Sequence, residues 1–184
     1  MNLSIIGSFI IGGMLMLSVI FLNVRVSVHS GQETMHVMAK TNVDVISQVL
    51  TFDLRKVGYG AGAEITTANA TTFSFSTDLN NDGSLNTITW QYFPDEEIAT
   101  TENPGDRRLV RVLDGETQDF SSMVVTRFEL FYILQDGTEV QNPANLSQIR
   151  KIRINVICET EFGYDGEFGA SAWQNVITPL NINI

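Results

Sequence analysis

The chain has 184 residues and a formal net charge of −10, enough length for one hydrophobic core plus an additional element. Residues 1–57 hold four basic and three acidic side chains, and residues 58–184 hold seven basic and eighteen acidic; so acidic a C-terminal part argues against nucleic acid as a partner, which needs clustered Lys and Arg facing phosphates. The single cysteine, Cys158, excludes an intrachain disulfide.

The first 24 residues, MNLSIIGSFIIGGMLMLSVIFLNV, contain no charged side chain. As a helix they span about 36 Å, against about 30 Å for the hydrocarbon core of a bilayer. The run is too long for the apolar part of a secretory signal, and no Lys or Arg precedes it. A retained helix is therefore expected over residues 1–24, in a membrane or in the core of a filament. Ser4, Ser8 and Gly12 recur at four-residue spacing. They share one face, where small side chains let neighbouring helices approach closely. Arg25 after the run is a weak orientation signal, because a large domain crosses the membrane largely regardless of charge.

Residues 32–57 continue as an amphipathic helix. Met35, Ala39, Val43, Ile46, Leu50, Leu54 and Val57 follow at spacings of three and four, the period of a helix with one buried face. Val45, Val49 and Phe52 widen that face, so it is expected to be covered by the head or by neighbouring subunits. Ser30 and Glu33 have the spacing of a capping box, and Gly31 lies between them, so a kink or melted turn is expected there. Gly58, Gly60 and Gly62 end the helix. His29 and His36 are seven residues apart, the wrong spacing for a metal pair, and read as solvated or interfacial side chains.

From Ile65 the period changes to two. Strands are expected over 71–77, 86–93, 108–113, 123–134, 148–160 and 172–180, with Pro179 confining the last to an edge or an end. The inward faces carry Ile88, Trp90 and Tyr92; Phe128, Leu130, Tyr132 and Leu134; and Ile152, Ile154, Val156 and Cys158. Arg150, Lys151 and Arg153 read as a charged sheet face, and Cys158 as a small buried side chain. Four Asp-Gly steps, at 82–83, 114–115, 136–137 and 165–166, suit hairpin turns. The fold class is α+β: a long N-terminal helix (1–57) packed on the antiparallel sheet of a β-rich head (58–184).

In order and spacing, the chain resembles type IV pilin-like proteins, nearest to W-type minor pilins and J-type minor pseudopilins. The likeness rests on an apolar helix running into an amphipathic one that ends DLRKVGYG (53–60). DLNNDGS and TITWQYF follow, then RRLVR, VVTRFELFYIL, IRKIRINVIC and a terminal WQNVITPLNIN. Precursors in that family carry a short basic leader and a glutamate early in the mature helix; residues 1–24 hold no basic residue and no Glu. The resemblance implies a helix that packs with other helical stalks, and a β head displayed outside the membrane or on an extracellular filament.

Asp78, Asn80 and Asp82, followed by Gly83, match the opening of a calcium loop, D-x-N-x-D-G. The twelfth position is Thr89 rather than Glu, so Glu96 or Glu97 would have to close such a site. The alternative is an Asp- and Asn-rich turn with no ion. No nucleophile–base pair, H-E-x-x-H or phosphate loop is present, so an enzyme is not expected. Two functions compete. One is a structural subunit assembling with itself or with other pilin-like subunits through Ser4, Ser8, Gly12, Met35, Val43, Ile46 and Leu50. The other is a solitary membrane-anchored binding module. A second amphipathic stretch favours the first.

Overall fold

A computed structural model describes residues 3–164 and 166–179. Helix α1 (Leu3–Arg55) is one 53-residue helix, about 80 Å long. Nine strands follow: β1 (Ile65–Ala68), β2 (Thr72–Thr77), β3 (Asn86–Glu97), β4 (Arg107–Leu113), β5 (Glu116–Asp119), β6 (Val125–Leu134), β7 (Glu139–Val140), β8 (Ile149–Glu159) and β9 (Ala170–Ile177). They form one antiparallel sheet in the order β1-β2-β3-β4-β6-β8-β9, with β5 on β4 and β7 on β6. β4 and β6 share a single pair, Arg107 with Val125, so the sheet nearly parts into two halves there. The expected α+β layout is what the chain adopts.

The kink expected near Ser30-Gly31 is replaced by unbroken helix. The Thr34 hydroxyl donates to the Ser30 carbonyl at 2.8 Å, so Ser30 does not act as a cap. Glu33 faces His29 at 4.0 Å instead. Gly31 has a tertiary reason: a Cβ there would lie 3.3 Å from the Tyr164 ring, so the glycine lets the turn around Tyr164 and Glu167 settle on the helix. The same turn continues into Gly169, where a Cβ would fall 2.6 Å from the backbone of Met35. No other residue fits that crossing. The helix ends at Arg55, two residues before the expected Val57, and its last turn tightens through Lys56 N–H to Asp53 O; Gly58 then turns the chain at φ 79°.

The helix buries Ala39, Val43, Ile46, Leu50 and Leu54. Val43, Ile46, Leu50 and Leu54 join the inward residues of the strands, among them Phe73, Phe75, Ile88, Trp90, Leu109, Leu130, Tyr132 and Ile154, in one continuous core. Each expected inward row is buried, save Leu134 at the end of β6, which is half-buried. Cys158 is fully buried, and burial pushes its thiol up to about 12. Asp114-Gly115 makes the two-residue β4–β5 turn with φ 50° and 91°, the type I′ geometry that matches strand twist. Asp136-Gly137 turns β6 into β7. Asp82-Gly83 instead lies inside the longer loop 78–85, and Asp165 of the fourth step lies outside the described residues, as does the chain beyond Pro179. β9 is an edge strand that stops short of Pro179. β3 runs four residues past its expected end, because Pro94 falls in a bulge between Phe93 and Glu97 that needs no ladder N–H.

Candidate functional site

The residues singled out for helix packing divide into two sets. Val43, Ile46 and Leu50 are buried in the molecule's own core, and Met35 is half-buried under Gly169. The amphipathic stripe thus packs on the head of its own chain, so its presence does not by itself argue for partners. Ser8 and Gly12 lie on the free half of the helix; the side chain of Ser4 is outside the described ones. From Ile5 to Val26 every large apolar side chain is exposed, between 42% and 79%. This half of the helix is long and apolar enough to cross a membrane, and its most apolar stretch has a mean hydropathy of 2.5 with none of it covered. A Cβ placed on Gly7, Gly12 or Gly13 would touch nothing within 4 Å. In the lone chain, these glycines therefore fill no steric need.

A second uncovered surface lies beside the head. Met38, Val45 and Phe52 are exposed by 55%, 37% and 54%. Their seven-residue spacing puts them on one line along the helix. At its upper end Phe52 forms one wall of an open groove of about 680 Å³, lined also by Gln48, Thr51, Arg55, Lys56 and Tyr59. Lys56 Nζ sits 4.8 Å from the centre of the Tyr59 ring, and the Tyr59 hydroxyl donates to Asn81 at 2.9 Å.

The rotation of the helix on the head is fixed by a buried clamp that the sequence reading missed. The Asp53 carboxylate, with no exposed surface, accepts from Arg111 Nε at 2.6 Å, from Arg111 Nη2 at 2.9 Å and from Trp90 Nε1 at 2.8 Å. Arg111 Nη1 reaches Gln118 at 3.0 Å. One carboxylate on α1 is thereby tied to β3, β4 and β5. A bidentate guanidinium pair is the strong, directional form of such a contact.

The loop 78–85 satisfies its own carboxylates. Asp78 accepts from the N–H groups of Asp82 (3.1 Å) and Gly83 (2.9 Å). Asp82 accepts from Ser84 N–H at 2.7 Å and from the Asn80 amide at 2.8 Å. These two donors hold the Asp82 carboxyl below the usual carboxylate range, the Ser84 N–H first. Thr89 bonds Ser74 at 2.8 Å. Glu96 and Glu97 stand at the far end of β3, roughly 30 Å along the strand, where Glu96 pairs with Arg108 at 3.4 Å. They do not close the loop. Among the described residues no three His, Cys, Asp or Glu side chains converge as a metal site. Added calcium is expected to leave the melting temperature unchanged, whereas an ion bound at 100-fold over its Kd would stabilise the fold by about 2.7 kcal/mol. A calcium-dependent rise lost in Asp82→Ala would reassign this loop as an ion site.

A different carboxylate is the odd one. Asp106 is fully buried, its Oδ2 accepts from Thr101 at 3.2 Å, and its Oδ1 has no partner among the described residues. Burial pushes its carboxyl up to about 6. His29 is exposed, and His36 Nδ1 lies 3.3 Å from the Ala170 carbonyl at the helix–β9 contact. In the basic stretch, Arg153 pairs with Glu139 and lies over Phe131 at 3.9 Å. Arg150 is spent on Gln135 and on the Ser147 and Ile149 carbonyls.

No known protein family, curated protein or solved structure matches this chain. The functional reading therefore stands on the residues and their geometry.

Proposed function

We propose that this chain is a structural subunit of a pilin-like filament, pseudopilus or tip complex, held with other subunits through its N-terminal helix while its acidic head is displayed outside the membrane. The observation that carries this assignment is the uncovered half of the helix: residues 5–26 project from the head with all their apolar side chains exposed. A lipid bilayer alone can cover such a segment. However, apolar side chains then gain nothing from meeting one another, and helix association depends on close van der Waals packing. Gly7, Gly12 and Gly13 in open space, with Ser8 on the same segment, supply surfaces where such an approach is possible.

Gly12→Leu is the discriminating change. It preserves hydrophobicity, and a Cβ at this position has nothing within 4 Å in the lone chain, so a loss of crosslinking points to neighbours. With Cys158 changed to Ser and single cysteines placed along the stalk, the parent is expected to crosslink to another stalk, and Gly12→Leu to reduce that crosslink strongly. If no stalk cysteine crosslinks to any protein, the chain is instead a solitary membrane-anchored module.

A further inference from the structure

The groove beside Phe52 is chemically distinctive within this acidic head. Arg55 and Lys56 on its rim form no ion pair among the described residues. Phe52 offers an aromatic wall that the head leaves more than half exposed. The groove thus presents one apolar surface bordered by two cations. The complementary feature lies on the same chain. Phe162 is 57% exposed in the turn that rests on Gly31. Glu161 precedes it in the chain, Glu167 pairs with Tyr164 in the same turn, and Glu102 joins it through its N–H to the Glu161 carbonyl at 3.2 Å. None of these carboxylates is in an ion pair among the described residues.

The two features cannot meet within one molecule. The Phe162 turn sits at the level of Gly31, and the groove at the level of Phe52, so they are separated by about 30 Å along the helix axis. A parallel copy displaced by that distance would bring its Phe162 turn to the level of the groove. We propose that the groove lined by Phe52, Arg55, Lys56 and Tyr59 receives the Phe162 turn of a second copy of this chain, shifted about 30 Å along the stalk. Phe162 would stack in the groove, with Glu161 and Glu167 facing Arg55 and Lys56. Opposite charge at such a contact sets partner and register more than strength. The surfaces on the two copies differ, so the contact is heterologous and propagates, as a filament requires. The inference rests on the subunit assignment above and specifies how its heads are staggered.

The test uses the full-length chain in membranes, with Cys158→Ser and Phe162 replaced by the photoreactive aromatic p-benzoylphenylalanine. Irradiation is expected to give an adduct mapping to residues 47–59. At about 30 Å from its own groove, that adduct must join two molecules. Arg55→Glu with Lys56→Glu should abolish it. Adding Glu161→Lys and Glu167→Lys should restore it, which a merely misfolded variant could not do. A cysteine at Ile11 in the same samples reports stalk contacts independently. Stalk crosslinks without the Phe162 adduct would overturn the groove contact and leave the subunit assignment standing. Loss of both in the parent overturns both. An adduct on a different protein, with none on a second copy, also overturns the self-contact.

Discussion

Asp53→Ala is expected to destabilise the head by about 3–5 kcal/mol, the typical cost of removing one partner from a buried ion pair. The pair itself need not be strongly stabilising, because both charges lost their hydration on folding. The cost arises from what remains. Arg111 is 6% exposed and would keep a single polar partner, Gln118, while Trp90 Nε1 would lose its acceptor. The measurement is urea unfolding of a fragment spanning residues 32–184. Asp53→Leu combined with Arg111→Met should recover much of the loss, since two apolar groups replace two paired charges. The two single changes should therefore be strongly non-additive. A loss under about 1 kcal/mol for Asp53→Ala would mean that the clamp is not formed in solution. The functional consequence goes beyond stability. The clamp sets which side of the helix faces the head, and so which side the head leaves uncovered.

Much of this arrangement was legible because helix and strand write different periods. The helix row from Val43 to Leu54 and the alternating rows of β3, β6 and β8 each mark one buried face, and those faces form the core. What escaped was whatever lacks a period. β5 reads ETQD, all exposed, and is a strand only because the Asp114-Gly115 turn folds it back on β4. Gly31 looked like a helix breaker because its reason, the Tyr164 ring, lies far away in sequence. The clamp joins residues 37 and 58 positions apart, beyond the reach of any local pattern. Yet it left a trace. Asp53 falls three residues after Leu50 and just before Leu54, on the buried side, and a carboxylate there demands a partner. Arg111 alternates in step with Leu109 on the inward side of β4, and it was the partner to look for. The groove at Phe52 had no such trace. Phe52 was read as widening the buried stripe, and only the placement of the head shows that this side of the helix is left open.

Two substitutions six residues apart on the same helix should therefore behave in opposite ways. Ile46 is fully buried in the core, and Phe52 is 54% exposed. Ile46→Asp deletes a buried branched side chain and places an unpaired carboxylate inside the apolar core. Its expected cost exceeds about 4 kcal/mol, a large part of the whole stability of a small domain. The 32–184 fragment carrying it should be largely unfolded at 25 °C. Phe52→Asp removes an aromatic side chain that the head leaves more than half exposed. It puts a negative charge near the helix C-terminus, a cost of about 0.3–1 kcal/mol, partly offset by Arg55 three positions on. Its melting temperature should fall by no more than a few degrees. Circular dichroism melts of the two variants side by side decide the matter. An unchanged melt for Ile46→Asp would remove the helix from the core of the head. A collapse for Phe52→Asp would mean that this side is already covered within one chain, and the groove would then have no room for a second copy.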